Sequence, residues 1–364
     1  MGGVILSYKR LRCYQLHSGR SKRQLAINGF KNEPQAGEDE YIRLWSQITK
    51  RVEPYSYRLF SHYMGNVPYI IPEDIGQSYL EHYLDPVRFC DFYNDKNLYP
   101  QYMNLKGHLP KTIARRISGG QMLDEEYKPL KQLPTELPYE ALILKPSVDT
   151  GSGKGVMRFA KSSDGYYSDN VKLTDDFLMQ YSQDFILQEA VRQHAFFMNL
   201  NETSVNTMRL CLYRSVKTEE VILTGGVVRV GHKGAYVDNA HMGGRYVGIL
   251  AENGELMKTT FDQDGRKKDI HNDIDYSKVH MTIPNWEEVK RFALYIGEQN
   301  RHCRLIALDV SMNELGVPIL IEINVAGFSY WLQLFTGQDP FAGHVDEVIE
   351  YCLKKETLRK KGKY

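Results

Sequence analysis

Charge of one sign is missing from this sequence: 46 Lys and Arg stand against 45 Asp and Glu, a formal net charge of +1 over 364 residues. So even a balance leaves no field for binding nucleic acid non-specifically, and nucleic acid is not an expected partner. Long apolar runs are missing too. None approaches the roughly 18–20 residues that cross a bilayer. The block Val4, Ile5, Leu6 ahead of Tyr8, Lys9 and Arg10 is too short for a signal peptide, so the expected location is the cytoplasm. Cysteine is scarce and scattered. Cys13, Cys90, Cys211, Cys303 and Cys352 form no CxxC pair, which excludes a zinc ribbon and a disulfide framework and leaves free thiols packed in the core. No glycine-rich dinucleotide turn opens the chain, and it holds no internal repeat or low-complexity tract. What is there is 42% hydrophobic residues, an ordinary globular proportion in a length that suits two or three folding units.

The stretch from Met1 to about Met64 is dense in Lys, Arg, Tyr and Gln and reads as helices. A short apolar run at 67–71 and a helical segment at 73–84 follow. Between about 90 and 140 the texture changes to short β-type runs separated by glycine and polar turns. Strands are expected at 141–145, 156–159, 185–188, 208–213, 221–230, 305–310 and 319–323. Trp286, Val289, Ala293 and Ile296 repeat at helical spacing, with Asn285 and Glu288 resembling a capping pair. The composite is mixed α/β or α+β. Six basic residues from Lys354 to Lys363 against Glu356 alone read as a solvated helix end, with contact to an anionic membrane surface as the alternative.

Three constellations carry chemistry. In the first, a strand ending in Lys145 runs into the small-residue loop Gly151, Ser152, Gly153, Lys154, Gly155. Glycine lets such a loop turn its N–H groups toward phosphate oxygens. It is not a Walker A motif, because Val148 stands where the first glycine belongs, Gly155 follows Lys154, and a strand comes next. A tight hairpin with a lysine at its base is the competing account. The second is the strand pair with Asp309, Glu322 and Asn324. A turn near Leu315 puts Asp309 opposite Glu322, and the period of two puts Glu322 and Asn324 on one face. Three hard oxygen donors so arranged suit Mg²⁺, although acids on a solvent face would share the pattern. The third, an apolar strand leading through Gln188, Glu189, Ala190 and Val191 toward His194, fits either an adenine clamp or an ordinary strand end.

Taken together with Asp95 and Lys96, these residues resemble the ATP-grasp superfamily in order and spacing over roughly residues 90–350. The run Ser204, Val205, Asn206, Thr207, Met208, Arg209, with Gly225, Gly226, Arg229, Val237, Asp238, Asn239, Gly243 and Gly244, resembles its sugar-transfer-associated branch. The resemblance implies an α+β ATP-grasp fold in which two α+β subdomains clamp ATP, preceded by a helix-rich N-terminal region. Its divisions would be a lead-in at 1–90, a first subdomain at 91–190, a C-terminal subdomain at 191–352 and a basic tail at 353–364. By the same resemblance Lys96 and Lys145 hold the α- and β-phosphates and the loop from Gly151 to Lys154 closes over the β/γ end. Gln188, Glu189, Ala190 and Val191 meet adenine, His194 meets ribose, and Asp309, Glu322 and Asn324 hold magnesium. In the D-alanine ligase branch an arginine lies two residues before the metal aspartate; here that position is Ala307, so Arg209 and Arg229 become the candidates for stabilising the transferring group. The implied reaction is ATP- and Mg²⁺-dependent ligation of a carboxylate to an amine through an acylphosphate. Its substrates would be small or carrier-linked, such as an amino acid and a uronic acid in surface-polysaccharide biosynthesis. A kinase acting on a sugar-like alcohol and a non-catalytic nucleotide-binding subunit are the alternatives. The first ninety residues are expected to form the acceptor side of the cleft, with 237–245 as a lid.

Overall fold

The computed structural model describes residues 2–148, 154–235, 243–325, 327–328 and 330–363, with side chains from residue 6 onward. The N-terminal region is helical as expected: α1 (Gly2–Ile27), α2 (Glu38–Trp45) and α3 (Tyr55–Met64) precede a continuous helical stretch at 73–84. In α2, Glu38, Asp39 and Glu40 sit at the positive end of the helix dipole and Arg43 at the negative end. The inner face of α2 buries Tyr41 and Trp45.

This layer docks through directional bonds as well as apolar area. Trp45 Nε1 donates to the Ile70 carbonyl at 2.9 Å. The Gln333 amide exchanges two bonds with the Ile71 backbone, at 3.0 and 2.7 Å. The 73–84 helix widens into a π turn at Gly76–Leu80, where a Cβ on Gly76 would lie 2.3 Å from the ring of buried Tyr330. Glycine at that turn lets the ring seat against the backbone. Gly76→Ala is therefore expected to overpack this contact by about 1–3 kcal/mol, seen as a lower urea midpoint at unchanged slope.

Two antiparallel sheets form the rest. The first has β1 (Thr112–Arg116), β2 (Ala141–Pro146), β3 (Met157–Ser162), β4 (Gly165–Ser168), β5 (Val171–Lys172) and β6 (Phe185–Glu189), in the order β1-β6-β2-β3-β4-β5. The second has β7 (Thr207–Arg214), β8 (Val221–Val230), β9 (Arg245–Ile249), β10 (Leu256–Phe261) and β11 (Lys267–Lys268). After the small β12 (Ile270–His271) and β13 (Ile274–Asp275) hairpin it is completed by β14 (Leu305–Met312) and β15 (Pro318–Asn324), in the order β11-β10-β9-β8-β7-β14-β15. Strand alternation sorts the residues of the second sheet. Ile306, Leu308 and Val310 pack with Val289, Ala293 and Ile296 of the helix Trp286–Gln299. Leu305 and Ala307 pack against the N-terminal layer. The next position on that second face is Asp309.

The seven expected strands are all present, longer by up to three residues at an end or shifted by one. β1, β9 and β10 escaped expectation because their charged and threonine-rich sequences break the apolar pattern. Asn285 does not cap the following helix: it adopts a left-handed conformation with no side-chain cap bond. Its Nδ2 instead donates to the Gly316 carbonyl at 3.1 Å, tying the helix start to the β14–β15 turn. Lys354, Lys355, Arg359 and Lys360 belong to the helix Val345–Lys360, where Glu356 accepts from Arg10 at 3.2 Å and from Arg359 at 2.6 Å. All five cysteines are free. Among the described residues no helix is long and apolar enough to cross a membrane.

Candidate active site

The β14–β15 hairpin has the expected register: Asp309 pairs with Glu322, and Ala307 with Asn324. Immediately after Asp309 the register slips, so that Val310 faces Leu320 and Ile321 is left as an extra residue in β15. A bulge bends its strand and re-aims its groups. Here the Ile321 carbonyl accepts from Lys145 Nζ at 3.2 Å, linking the two sheets. The strand's exit is fixed from the other side by Tyr99, whose hydroxyl oxygen accepts from the Ile323 N–H at 2.9 Å, and by Asn94, whose Oδ1 accepts from the Val325 N–H at 3.2 Å.

Asp309 is 2% exposed and carries a charge network. Arg209, directly opposite it on β7, donates Nε to Oδ1 at 2.6 Å and Nη2 to Oδ2 at 2.7 Å, a bidentate fork. Arg229 Nη2 lies 3.3 Å from the same Oδ2, and Arg229 Nε donates to Thr207 Oγ1 at 2.9 Å. Burial works against the Asp309 charge, but the two guanidinium groups outweigh it and hold its carboxyl below the usual carboxylate range. Burial likewise opposes the charge of Arg209, and Asp309 reverses that so the guanidinium is held above its ordinary value. Arg209 thus faces Asp309 from the neighbouring strand, while Ala307 stands two residues before Asp309 on its own strand.

Both candidate lysines converge on β15. Lys96 forms an ion pair with Glu322, and its backbone N–H donates to the Ser147 carbonyl at 2.8 Å. Lys145, on the inner face of β2, is buried. Burial and then the neighbouring charge of Lys96 push its ammonium down to about 8, against the pull of Glu322 and Asp309. Asn324 Nδ2 donates to the Ala307 carbonyl at 3.3 Å, which leaves Oδ1 as an acceptor. Among the described residues no group of three or more His, Cys, Asp and Glu is poised for a metal; the set here is two carboxylates and an amide.

The hinge residues are placed differently from one another. Gln188 is buried and donates to the Pro110 carbonyl at 3.2 Å, anchoring the start of β1. Glu189 Oε1 accepts from the Lys111 N–H at 3.0 Å, and the Ala190 N–H donates to the Ala141 carbonyl at 2.9 Å. Glu189 and Val191 line a cavity of about 640 Å³ with Lys111, Arg192 and the β14–β15 turn. His194 Nδ1 accepts from the Phe196 N–H at 3.1 Å and so caps the short helix Ala195–Leu200. Gly151, Ser152 and Gly153 of the loop lie outside the described residues, as do 237–242 of the expected lid; Lys154, the next residue of the loop, leads toward β3. Arg20 of α1, Tyr246 of β9 and Trp331 come to the arginine side of this site. No motif in the sequence announces them.

Two antiparallel sheets, with Lys145 of the first reaching the Ile321 carbonyl and Lys96 of the preceding turn pairing with Glu322 on a hairpin of the second, define an ATP-grasp protein. Residues 77–343 match the family described as sugar-transfer associated ATP-grasp, and the chain belongs to that family. No curated protein matches the sequence. Among solved structures it is similar to an N5-carboxyaminoimidazole ribonucleotide synthetase in its ADP complex, at 12% identity over 71% of this chain and 52% of that one, TM-score 0.41. It is also similar to the D-alanine–D-alanine ligase of Bacillus anthracis, at 13% identity over 73% and 69% of the two chains, TM-score 0.36. The L-amino acid ligase of Bacillus licheniformis is a third, at 10% identity over 72% and 50%, TM-score 0.39. The chain spans about half the length of the first and third of these.

Proposed function

We propose that this protein is an ATP- and Mg²⁺-dependent carboxylate–amine ligase, joining an amino acid to a carboxylated sugar or glycan component in surface-polysaccharide biosynthesis. The observation that carries the reading is the meeting of Lys96, Lys145, Glu322 and the Asp309–Arg209–Arg229 network on one side of a bulged hairpin. Phosphoryl transfer needs positioning and charge neutralisation more than a protein nucleophile, and this site offers both.

In this reading Lys96 and Lys145 hold the α- and β-phosphates, and the loop with Gly151, Ser152, Gly153 and Lys154 covers the β/γ end. Ala190, Val191 and Glu189 border the base, while Gln188 and the Nδ1 of His194 serve the hinge by fixing its backbone. The donors fit a divalent ion: Asp309 and Glu322 are hard carboxylates on cross-strand positions, and the cations now facing them supply the charge such an ion would replace. Bound through Asp309, Glu322 and Asn324, Mg²⁺ would neutralise phosphate charge. Arg209 and Arg229 then stabilise the anionic group being transferred. The γ-phosphoryl group passes to a carboxylate oxygen and ADP leaves. The amine attacks the acyl carbon, phosphate departs, and an amide remains.

The test is ADP and phosphate release with Mg²⁺-ATP, hydroxylamine as the amine, and a pool of amino acids and uronic acids. Hydroxamate formed in step with ADP is the expected result. ADP without hydroxamate or free phosphate would replace the ligase reading with a kinase.

A further inference from the structure

The arginine side of the site opens into a cavity of about 90 Å³ between α1, the helix Leu332–Thr336 and the β8–β9 edge of the network. Three cations converge there. Arg209 and Arg229, 20% and 22% exposed, border it, and Arg20 enters from the N-terminal helix. The Arg20 guanidinium stacks 4.6 Å from the Trp331 ring centroid, which fixes its plane and leaves its N–H edges to point along it. The charge of Arg20 also reaches the buried carboxyl of Glu73 and works against the rise that burial imposes on it. Trp331, Leu332 and Phe335 form the apolar wall. Three arginines stand against Asp309, with Glu73 near Arg20 and Glu322 near Arg209; burial pushes the Glu73 carboxyl up to about 7, so positive charge predominates in the cavity.

We infer that this cavity binds the carboxylate of the acyl substrate, with Arg20 as the residue that grips it and Trp331 as the plate that holds Arg20. The inference rests on the ligase reading, and it names that reading's acceptor pocket. The volume holds a few waters' worth of ligand, enough for a carboxylate and its adjoining carbons, with the remainder of the substrate lying toward the cleft. A carboxylate gripped there borders the arginines around Asp309, where the phosphoryl group would arrive. α1 precedes the family-matched segment, residues 77–343, so this grip is a contribution of the chain's own N-terminal layer.

The experiment is calorimetric titration of the full chain with D-glucuronate, acetate and inorganic phosphate in turn, with Mg²⁺-ATP titrated separately. The expected result is saturable binding of a carboxylate that Arg20→Gln weakens by about 10- to 100-fold. Arg20→Lys should restore it only in part, and Mg²⁺-ATP affinity should stay within about twofold in each variant, which also certifies the fold. Carboxylate affinity unchanged in Arg20→Gln overturns the proposal. So does absence of carboxylate binding by the native chain up to tens of millimolar, or an Arg20-dependent site that takes phosphate and excludes both carboxylates. Arg20-dependent carboxylate binding in a protein that yields no hydroxamate would leave the pocket standing and remove the ligase.

Discussion

Asp309→Asn is expected to abolish ATP-dependent turnover and to destabilise the fold by about 3 kcal/mol, the lower end of the 3–5 kcal/mol typical of a broken buried ion pair. The carboxylate is 2% exposed and receives the fork of Arg209 on both oxygens, with Arg229 also on Oδ2. An amide of the same shape can accept from only one of the Arg209 donors and turns an N–H₂ toward the other. Two guanidinium groups then lack their counter-charge. Their partial exposure, 20% and 22%, lets water recover some of the loss, which is why the low end applies. Urea midpoints measure the stability and ADP release measures the activity. The double variant Arg209→Met with Asp309→Leu separates the two effects, because replacing both partners with apolar groups removes the desolvation penalty along with the attraction. Arg229 still lacks its counter-charge in that variant, so part of the stability is expected to return and none of the turnover. An Asp309→Asn protein as stable as the native chain would mean that the network does not hold the sheet together.

The hairpin that carries Asp309 and Glu322 was legible because its alternation is nearly unbroken: Leu305, Ala307 and Asp309 share one face, Ile306, Leu308 and Val310 the other. From that period and a turn near Leu315 the cross-strand pairing of the two acids follows. The bulge at Ile321 was not legible, since a register slip depends on what the partner strand accepts, and nothing in an apolar run marks which residue will be extra. Arg209 and Arg229 become candidates through the resemblance alone, because Ala307 stands where the D-alanine ligase branch has an arginine. Their common partner lies 100 positions from Arg209, and the β7–β14 and β7–β8 registers together bring the three into contact. His194 illustrates the reverse. Its place after the hinge fits a nucleotide contact, but the short helix behind it needs a cap and takes its Nδ1. Arg20 could not be chosen from sequence, because α1 carries Lys9, Arg10, Arg12, Lys22 and Arg23 as well. Which of them faces the site is decided by how the layer docks, through the Trp45–Ile70 and Gln333–Ile71 bonds.

Lys145→Met is expected to weaken Mg²⁺-ATP binding by about 10- to 100-fold, the cost of losing a charge-assisted contact to phosphate, while making the protein more stable at pH 7. The two effects share one cause. In the native chain the Lys145 ammonium is buried beside Lys96, which lowers its pKa from 10.5 to about 8. The unfolded chain has no such burden and keeps its proton up to the ordinary value. Between about pH 8 and 10.5 the unfolded form therefore binds more protons than the folded one, and stability rises with pH across that window. Below pH 8 the whole burden is present, on the order of 3 kcal/mol by the size of the shift. Methionine fills the same space without a charge and escapes it. The stability difference between Lys145→Met and the native chain should thus be largest at pH 7 and close as pH climbs from 8 to 10.5; a difference flat over that range would show that Lys145 is not a strained cation. Binding carries the complementary signature. Phosphate favours the charged lysine, so native affinity for Mg²⁺-ATP should fall as pH rises through about 8, with proton uptake on binding above that point. The methionine variant should show neither. Both signatures together would identify Lys145 as a residue where fold stability is given up for nucleotide affinity.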